Sequence, residues 1–117
     1  MTEGEIQWLA GLLEGEGCFG AWGPIRGGRR LRAAVSLKMT DRDVVERAHA
    51  LLGLETIVMT KGDSRGKGWS DTYVWQANGA TAERIMRLVL PYMGERRTAK
   101  INEILAMDLS HRPKEAT

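Results

Sequence analysis

Residues 8–19 read WLAGLLEGEGCF, and no other stretch limits the fold as tightly. At roughly 100° per residue the segment and its lead-in divide into three stripes on a helix. Ile6, Leu9, Ala10 and Leu13 share one apolar face. Trp8, Gly11, Leu12 and Gly15 share a second, well separated from the first, and Glu3, Gln7 and Glu14 fill one gap between them. A helix on the outside of a monomer needs a single apolar face. A second face with glycines four residues apart predicts another helix packed so closely that backbones touch. Gly15-Glu16-Gly17 then sets a carboxylate between two glycines where the helix is expected to end. The segment is expected to pair with its like and to deliver an acid at its foot.

Length bounds the rest. A chain of 117 residues makes one compact domain that buries about two-thirds of its unfolded surface. That domain is expected over residues 1–109, with a polar tail at 110–117. The single cysteine, Cys18, has no partner for an internal disulfide, which predicts a reducing compartment. No apolar run approaches the roughly 20 residues that span a bilayer, and the acidic N-terminus lacks a signal-peptide pattern. The expectation is a soluble, intracellular (cytoplasmic) protein with no membrane partner.

Charge is unevenly placed. Residues 1–25 carry four acids (Glu3, Glu5, Glu14, Glu16) and no Lys or Arg. Residues 26–42 carry Arg26, Arg29, Arg30, Arg32, Lys38 and Arg42 against Asp41 alone, and a second cluster, Lys61, Arg65 and Lys67, is opposed only by Asp63. Singly, such residues read as solvated loops. Two clusters in matching hairpins, in a chain of net charge +2, point to a polyanion surface.

The periodicity predicts the order α-β-β-α-β-β-α. A helix over about Glu3 to Glu14 is followed by a short strand at Cys18–Trp22 and a turn-rich stretch around Pro24 and Gly27-Gly28. Leu31, Ala33, Val35, Leu37 and Met39 alternate with Arg32, Ala34, Ser36 and Lys38, the pattern of a half-buried strand with a small, basic outer face. Thr40 with Asp43 resembles a capping box, opening a helix with Val44, Val45, Ala48, Leu51 and Leu52 that Gly53 stops. Thr56–Lys61 and Thr72–Asn78 read as strands around a basic turn at Gly62–Gly68. Thr81 is expected to cap a helix bearing Ile85, Met86, Val89 and Leu90 and ended by Pro91. A last helix is expected at about Thr98 to Leu109. The fold class is α+β: a four-stranded antiparallel sheet with helices on one face and a free, basic opposite face.

The run Leu9-Ala10-Gly11-Leu12-Leu13-Glu14-Gly15-Glu16-Gly17 resembles the LAGLIDADG motif of homing endonucleases. The first four positions and the last glycine are the same, with Leu13 for Ile, Glu14 and Glu16 for Asp, and Gly15 for Ala. The element order fits that αββαββα fold over nearly the whole chain. The resemblance implies two motif helices packed at the centre of a dimer. Trp8, Gly11, Leu12 and Gly15 would face the partner, and Ile6, Leu9, Ala10 and Leu13 the protomer's own core. One motif implies a homodimer and a palindromic or nearly palindromic target on double-stranded DNA, with no small-molecule substrate.

By the same resemblance Glu16 is the ligand for Mg²⁺ or another divalent metal, with the Gly15 carbonyl as a second donor; hard cations prefer such oxygens. Glu14 reads as a solvated acid. Lys38 and Arg42 fall where the family sets polar groups around the attacking water, and Arg96 near its basic active-site position, with Arg97 or Lys100 as substitutes. Arg96 and Arg97 read otherwise as a solvated turn between helices. The residues expected to touch DNA are Arg26, Arg29, Arg30, Arg32, Ser36, Lys61, Arg65, Lys67 and Gln76. Arg suits guanine in the major groove, and turn residues suit phosphate. Trp75 is expected in the core and Trp8 at the interface, with Trp22 and Trp69 left open; His49 and His111 are expected to be inert. Together these features imply a site-specific, metal-dependent endonuclease. A non-cleaving binder on the same scaffold, an RNA maturase or a DNA-binding regulator, is the alternative, and a dimerisation module without nucleic acid the third reading.

Overall fold

The computed structural model describes residues 1–22, 32–62, 71–107 and 109. The turn around Pro24, most of the basic turn at 62–68, and the tail at 110–117 lie outside the described residues. So do Arg26, Arg29, Arg30, Arg65, Lys67, Trp69 and His111.

Helix α1 (Glu3–Glu16) runs into β1 (Gly17–Trp22), then come β2 (Arg32–Met39), α2 (Arg42–Leu52), β3 (Met59–Lys61), β4 (Thr72–Asn78), α3 (Gly79–Val89), a 3-10 turn at Leu90–Tyr92, and α4 (Glu95–Leu105). The strands form one sheet in the order β1-β2-β4-β3, and every neighbouring pair is antiparallel.

The period-two pattern of β2 puts Ala33, Val35 and Leu37 in the core, where Phe19 of β1 and Trp75 and Ala77 of β4 join them. Against that face pack Leu9 and Leu13 of α1, Val45 and Ala48 of α2, Ile85, Met86 and Val89 of α3, and Ile101 and Ile104 of α4. Each of the buried Val, Leu, Ile, Met and Phe side chains contributes on the order of 1.5–3 kcal/mol of transfer free energy. The helices therefore share one face of the sheet, and no described helix covers the other.

Several element ends differ from the sequence expectation. α1 continues through Glu16 instead of stopping at Glu14, because Gly17 rather than Gly15 ends it, its N–H donating back to the Leu13 carbonyl. Its start holds a complete capping box, absent from the sequence expectation: Glu5 N–H donates to Thr2 Oγ1 and Thr2 N–H to Glu5 Oε1. No capping box forms at Thr40. Asp41 is the N-cap of α2 and makes no side-chain capping bond. Gly53 ends α2 in the left-handed region, φ 59°, as expected of a glycine there.

The strand expected at Thr56–Lys61 shortens to Met59–Lys61. The residues before it are held by side chains instead of a ladder: Thr56 Oγ1 donates to the Gln76 carbonyl at 3.0 Å, and the His49 ring donates to the Thr56 carbonyl. α3 begins at Gly79, two residues before Thr81, because Gly79 at φ 63° lets β4 turn directly into helix. α4 begins at Glu95, and Thr98 lies inside its first turn with its hydroxyl on the Met93 carbonyl. It ends at Leu105 rather than Leu109, and Leu109 is buried beyond the helix.

Candidate functional site

The end of α1 is set by a close approach. A Cβ at Gly17 would lie 2.7 Å from the Leu13 carbonyl oxygen, so no side chain fits where the helix turns into β1. That turn leaves Glu16 exposed at the helix foot. Gly17 pairs with Leu37 across β1 and β2. The residues just beyond that pair, Glu16 and Lys38, therefore occupy neighbouring positions at one end of the two strands, both exposed. Beside them a depression is lined by Gly17, Cys18 and Phe19 together with Arg96, Arg97 and Lys100 of α4.

The outer stripe of α1 is open. Leu9, Ala10 and Leu13 are buried, whereas a Cβ at Gly11 or Gly15 on the opposite side would meet nothing within 4 Å. Trp8 and Leu12 flank this stripe, half-buried against the core. The Arg47 guanidinium of α2 lies 4.1 Å from the Trp8 ring centroid, a cation–π contact that supports one side of the ring.

The open face of the sheet follows from the register. Cys18, Gly20 and Trp22 of β1 stand opposite Ser36, Ala34 and Arg32 of β2. Ser36 and Lys38 in turn stand opposite Gln76 and Val74 of β4, and Val74 opposite Met59 of β3. These residues alternate with the core residues, so they share the face that no described helix covers, although Ala34 and Gly20 are buried there. Trp22 folds back over Gly20, where a Cβ would lie 2.1 Å from Trp22 Cζ3. Its ring lies on the open face, 41 % exposed.

No protein-family model and no curated protein sequence matches the chain. Solved structures do. The homing endonuclease I-CvuI in complex with its target has 17 % identity and a TM-score of 0.61, over 86 % of this chain and 64 % of that one. The archaeal intron-encoded homing endonuclease I-Vdi141I, complexed with DNA, has 21 % identity and a TM-score of 0.60, over 81 % and 61 %. The homing endonuclease I-TnaI has 14 % and 0.59, over 86 % and 68 %. The chain has the LAGLIDADG homing endonuclease fold. It spans less than two thirds of the length of I-CvuI and I-Vdi141I.

Within this LAGLIDADG fold, the residues singled out from the sequence fall into three groups. Glu16 and Lys38 are neighbours, and Arg96, exposed in the first turn of α4, borders the depression next to them. Arg32, Lys61 and Gln76 are exposed and Ser36 half-buried, all on the open sheet face. Arg42 stands apart. It bonds Glu46 on its own helix at 2.9 Å and lies 5.6 Å from the Tyr73 ring centroid. The Glu46 carboxylate holds its guanidinium still more firmly protonated than usual.

Two side chains depart from the solvated reading. Glu14 is half-buried, and its Oε2 is buried without a hydrogen-bond partner among the described residues. Its other oxygen sits where a Cβ of Gly94 would be, 2.7 Å away. Arg97 is half-buried rather than in a solvated turn; it lies 5.7 Å from the Phe19 ring centroid, and its Nε is likewise buried without a partner among the described residues. No sequence signal near Glu14 points to Gly94, 80 positions further along the chain. His49 serves the fold through its bond to Thr56, and Trp75 is in the core.

The donor set at the helix foot suits a hard cation in part. The last carbonyls of a helix have no intrahelical partner, no basic residue lies in the last turn of α1, and the Glu16 carboxylate is exposed beside them. Among the described residues no three His, Cys, Asp or Glu side chains gather as a metal cluster. The described residues of one chain thus offer a carboxylate and backbone oxygens at the helix foot.

Proposed function

We propose that the chain is a metal-dependent, site-specific DNA endonuclease that works as a homodimer on a palindromic or nearly palindromic duplex. One observation carries this reading: Glu16 is exposed at the foot of a helix whose glycine stripe is free for a second copy. The same helix foot opens onto the uncovered, basic sheet face. The similar structures, homing endonucleases in complex with target or DNA, support DNA as the substrate.

In this reading two α1 helices pack along Gly11 and Gly15, with Trp8 and Leu12 beside the seam, and bring two Glu16 carboxylates together. Glu16, with the Gly15 carbonyl, would hold Mg²⁺. A divalent ion there supplies an activated water and charge stabilisation at the phosphate. The second Glu16 and phosphate oxygens would supply the remaining ligands. Lys38 stands beside Glu16, where its ammonium stabilises charge on the phosphate and orients the attacking water. Arg96, from α4, offers a second cation to the same phosphate. Arg42 acts at this site once its guanidinium leaves Glu46. Arg32, Ser36, Lys61 and Gln76 line the groove-facing surface, and Arg26, Arg29, Arg30, Arg65 and Lys67 extend it from the hairpin turns. Cuts across the minor groove leave short 3′ overhangs.

The test uses the sequence that flanks the gene, joined as it would be without the insertion. The purified chain is incubated with that duplex in Mg²⁺, and in Ca²⁺ as the control. Paired staggered cuts in Mg²⁺ alone, lost in Glu16→Gln while binding persists, are the expected result. Binding in both metals without cuts leaves the maturase or regulator reading in its place. Affinity that ignores salt refutes both, since a surface contacting several phosphates loses orders of magnitude between low and moderate salt.

A further inference from the structure

At the β3–β4 edge the open sheet face carries a groove bordered by Glu55, Met59, Lys61, Val74, Gln76 and Asn78. An amide pair lies on one side of it. Gln76 Nε2 donates to Asn78 Oδ1 at 2.7 Å, which orients an otherwise exposed side chain. The bond uses one amide hydrogen of Gln76 and leaves the second hydrogen and the carbonyl oxygen without a partner among the described residues. A donor and an acceptor side by side on one amide complement the N7 and N6–H₂ edge of adenine in the major groove.

An apolar pair lies next along the sheet, at Val74 of β4 and Met59 of β3. Met59 stands opposite Val74 in the strand register, on the same face as Gln76, and is 55 % exposed. Apolar atoms beside an adenine-reading amide complement the C5 methyl of the paired thymine. The charges on the border agree with base edges rather than backbone. The Glu55 carboxylate repels a phosphate in the groove itself, and Lys61, at the end of β3, takes the flanking phosphate.

We propose that this groove reads one A·T base pair, with Gln76 bonding the adenine edge, Met59 and Val74 covering the thymine methyl, and Asn78 as the positioning residue. The proposal rests on the DNA-binding reading above and deepens it by naming the base pair.

The experiment is a binding selection with the full chain in Ca²⁺ on a randomised duplex library, followed by affinities on modified duplexes. The recovered duplexes are expected to share an A·T pair at a fixed position. Gln76→Ala should relax that position and leave the rest of the motif intact. Replacing that adenine by 7-deaza-adenine should weaken wild-type binding about ten- to a hundredfold. Replacing the thymine by deoxyuridine should weaken it severalfold, a difference that Met59→Gln erases. Asn78→Ala should partly relax the same position. Asn78 makes no capping bond to α3, so loss of the helix cap would not explain that result. A selected motif that Gln76→Ala leaves unchanged, or relaxes at a G·C pair, overturns the proposal while the DNA reading stands. Failure to bind any duplex overturns both.

Discussion

The carboxylate of Glu14 occupies the space a side chain at Gly94 would need, since a Cβ there would lie 2.7 Å from Glu14 Oε1. The contact joins the last turn of α1 to the N-cap of α4, and so couples the helix that carries Glu16 to the helix that carries Arg96. Gly94 has φ −70°, which any residue adopts, so Gly94→Ala adds crowding against Glu14 to the loss of a favoured N-cap residue. The substitution is expected to cost about 1–2 kcal/mol, read as a lower urea midpoint at unchanged slope. In a Glu14→Ala background it should cost less than half as much. Equal losses in the two backgrounds would show that this contact does not set the cost.

Gly11 and Gly15 are open within the chain, so alanine there meets no protein atom within 4 Å. Taken singly, Gly11→Ala should stabilise the isolated fold by about 0.8–1 kcal/mol through helix propensity. The same methyl obstructs a second helix, so self-association should weaken. Sedimentation equilibrium with denaturant unfolding at low concentration separates the two effects. A variant that self-associates as tightly as wild type would remove this stripe from the interface.

Trp22 lies on the open sheet face only because position 20 is a glycine. In Gly20→Ala the new methyl would be 2.1 Å from Cζ3 and 2.6 Å from Cε3 of the ring, so the indole must swing away. A loss of about 1–3 kcal/mol is expected, together with greater acrylamide quenching of the Trp22 signal, obtained by difference from matched Trp22→Phe proteins. Unchanged quenching would contradict the packing of the ring on Gly20.

The capping box at the start of α1 makes a pH prediction. Its hydrogen bonds with the Thr2 backbone and side chain hold the Glu5 carboxyl below its ordinary value of 4.5. A depressed carboxyl stabilises the fold above its unfolded pKa and loses that contribution as pH falls through the folded one. Thr2→Ala should therefore cost about 1 kcal/mol at neutral pH, and the gap from wild type should narrow as pH falls below about 4.5. Thermal denaturation from pH 7 downward checks it, and a gap that stays constant to low pH would contradict the reciprocal bond.

What could be read in advance was what depends on neighbours in sequence. The faces of α1 follow from helical period alone, and Leu9, Ala10 and Leu13 are buried while Gly11 and Gly15 are open. β4 runs over Thr72–Asn78 as expected, because an alternating run bounded by turn residues has no competing period. The capping box at Thr2 is legible too, in the spacing of Thr2 and Glu5, whereas the similar pattern of Thr40 and Asp43 forms no such bond.

The chain's own order of residues determined the helix with two opposed faces, the αββαββα succession, the acid at the helix foot and the basic strand face, since each is a local matter of periodicity and charge. Only the tertiary structure decided the rest. It set Lys38 beside Glu16 through the β1–β2 register and brought Arg96 and Arg97 to a depression bordered by Gly17, Cys18 and Phe19. It tied Arg42 to Glu46, shortened β3 by bonding Thr56 to Gln76, and turned Glu14 inward against Gly94. These contacts join residues distant in sequence or compete between alternative partners. Their outcome is fixed by how the sheet and helices close on one core, which no local pattern records.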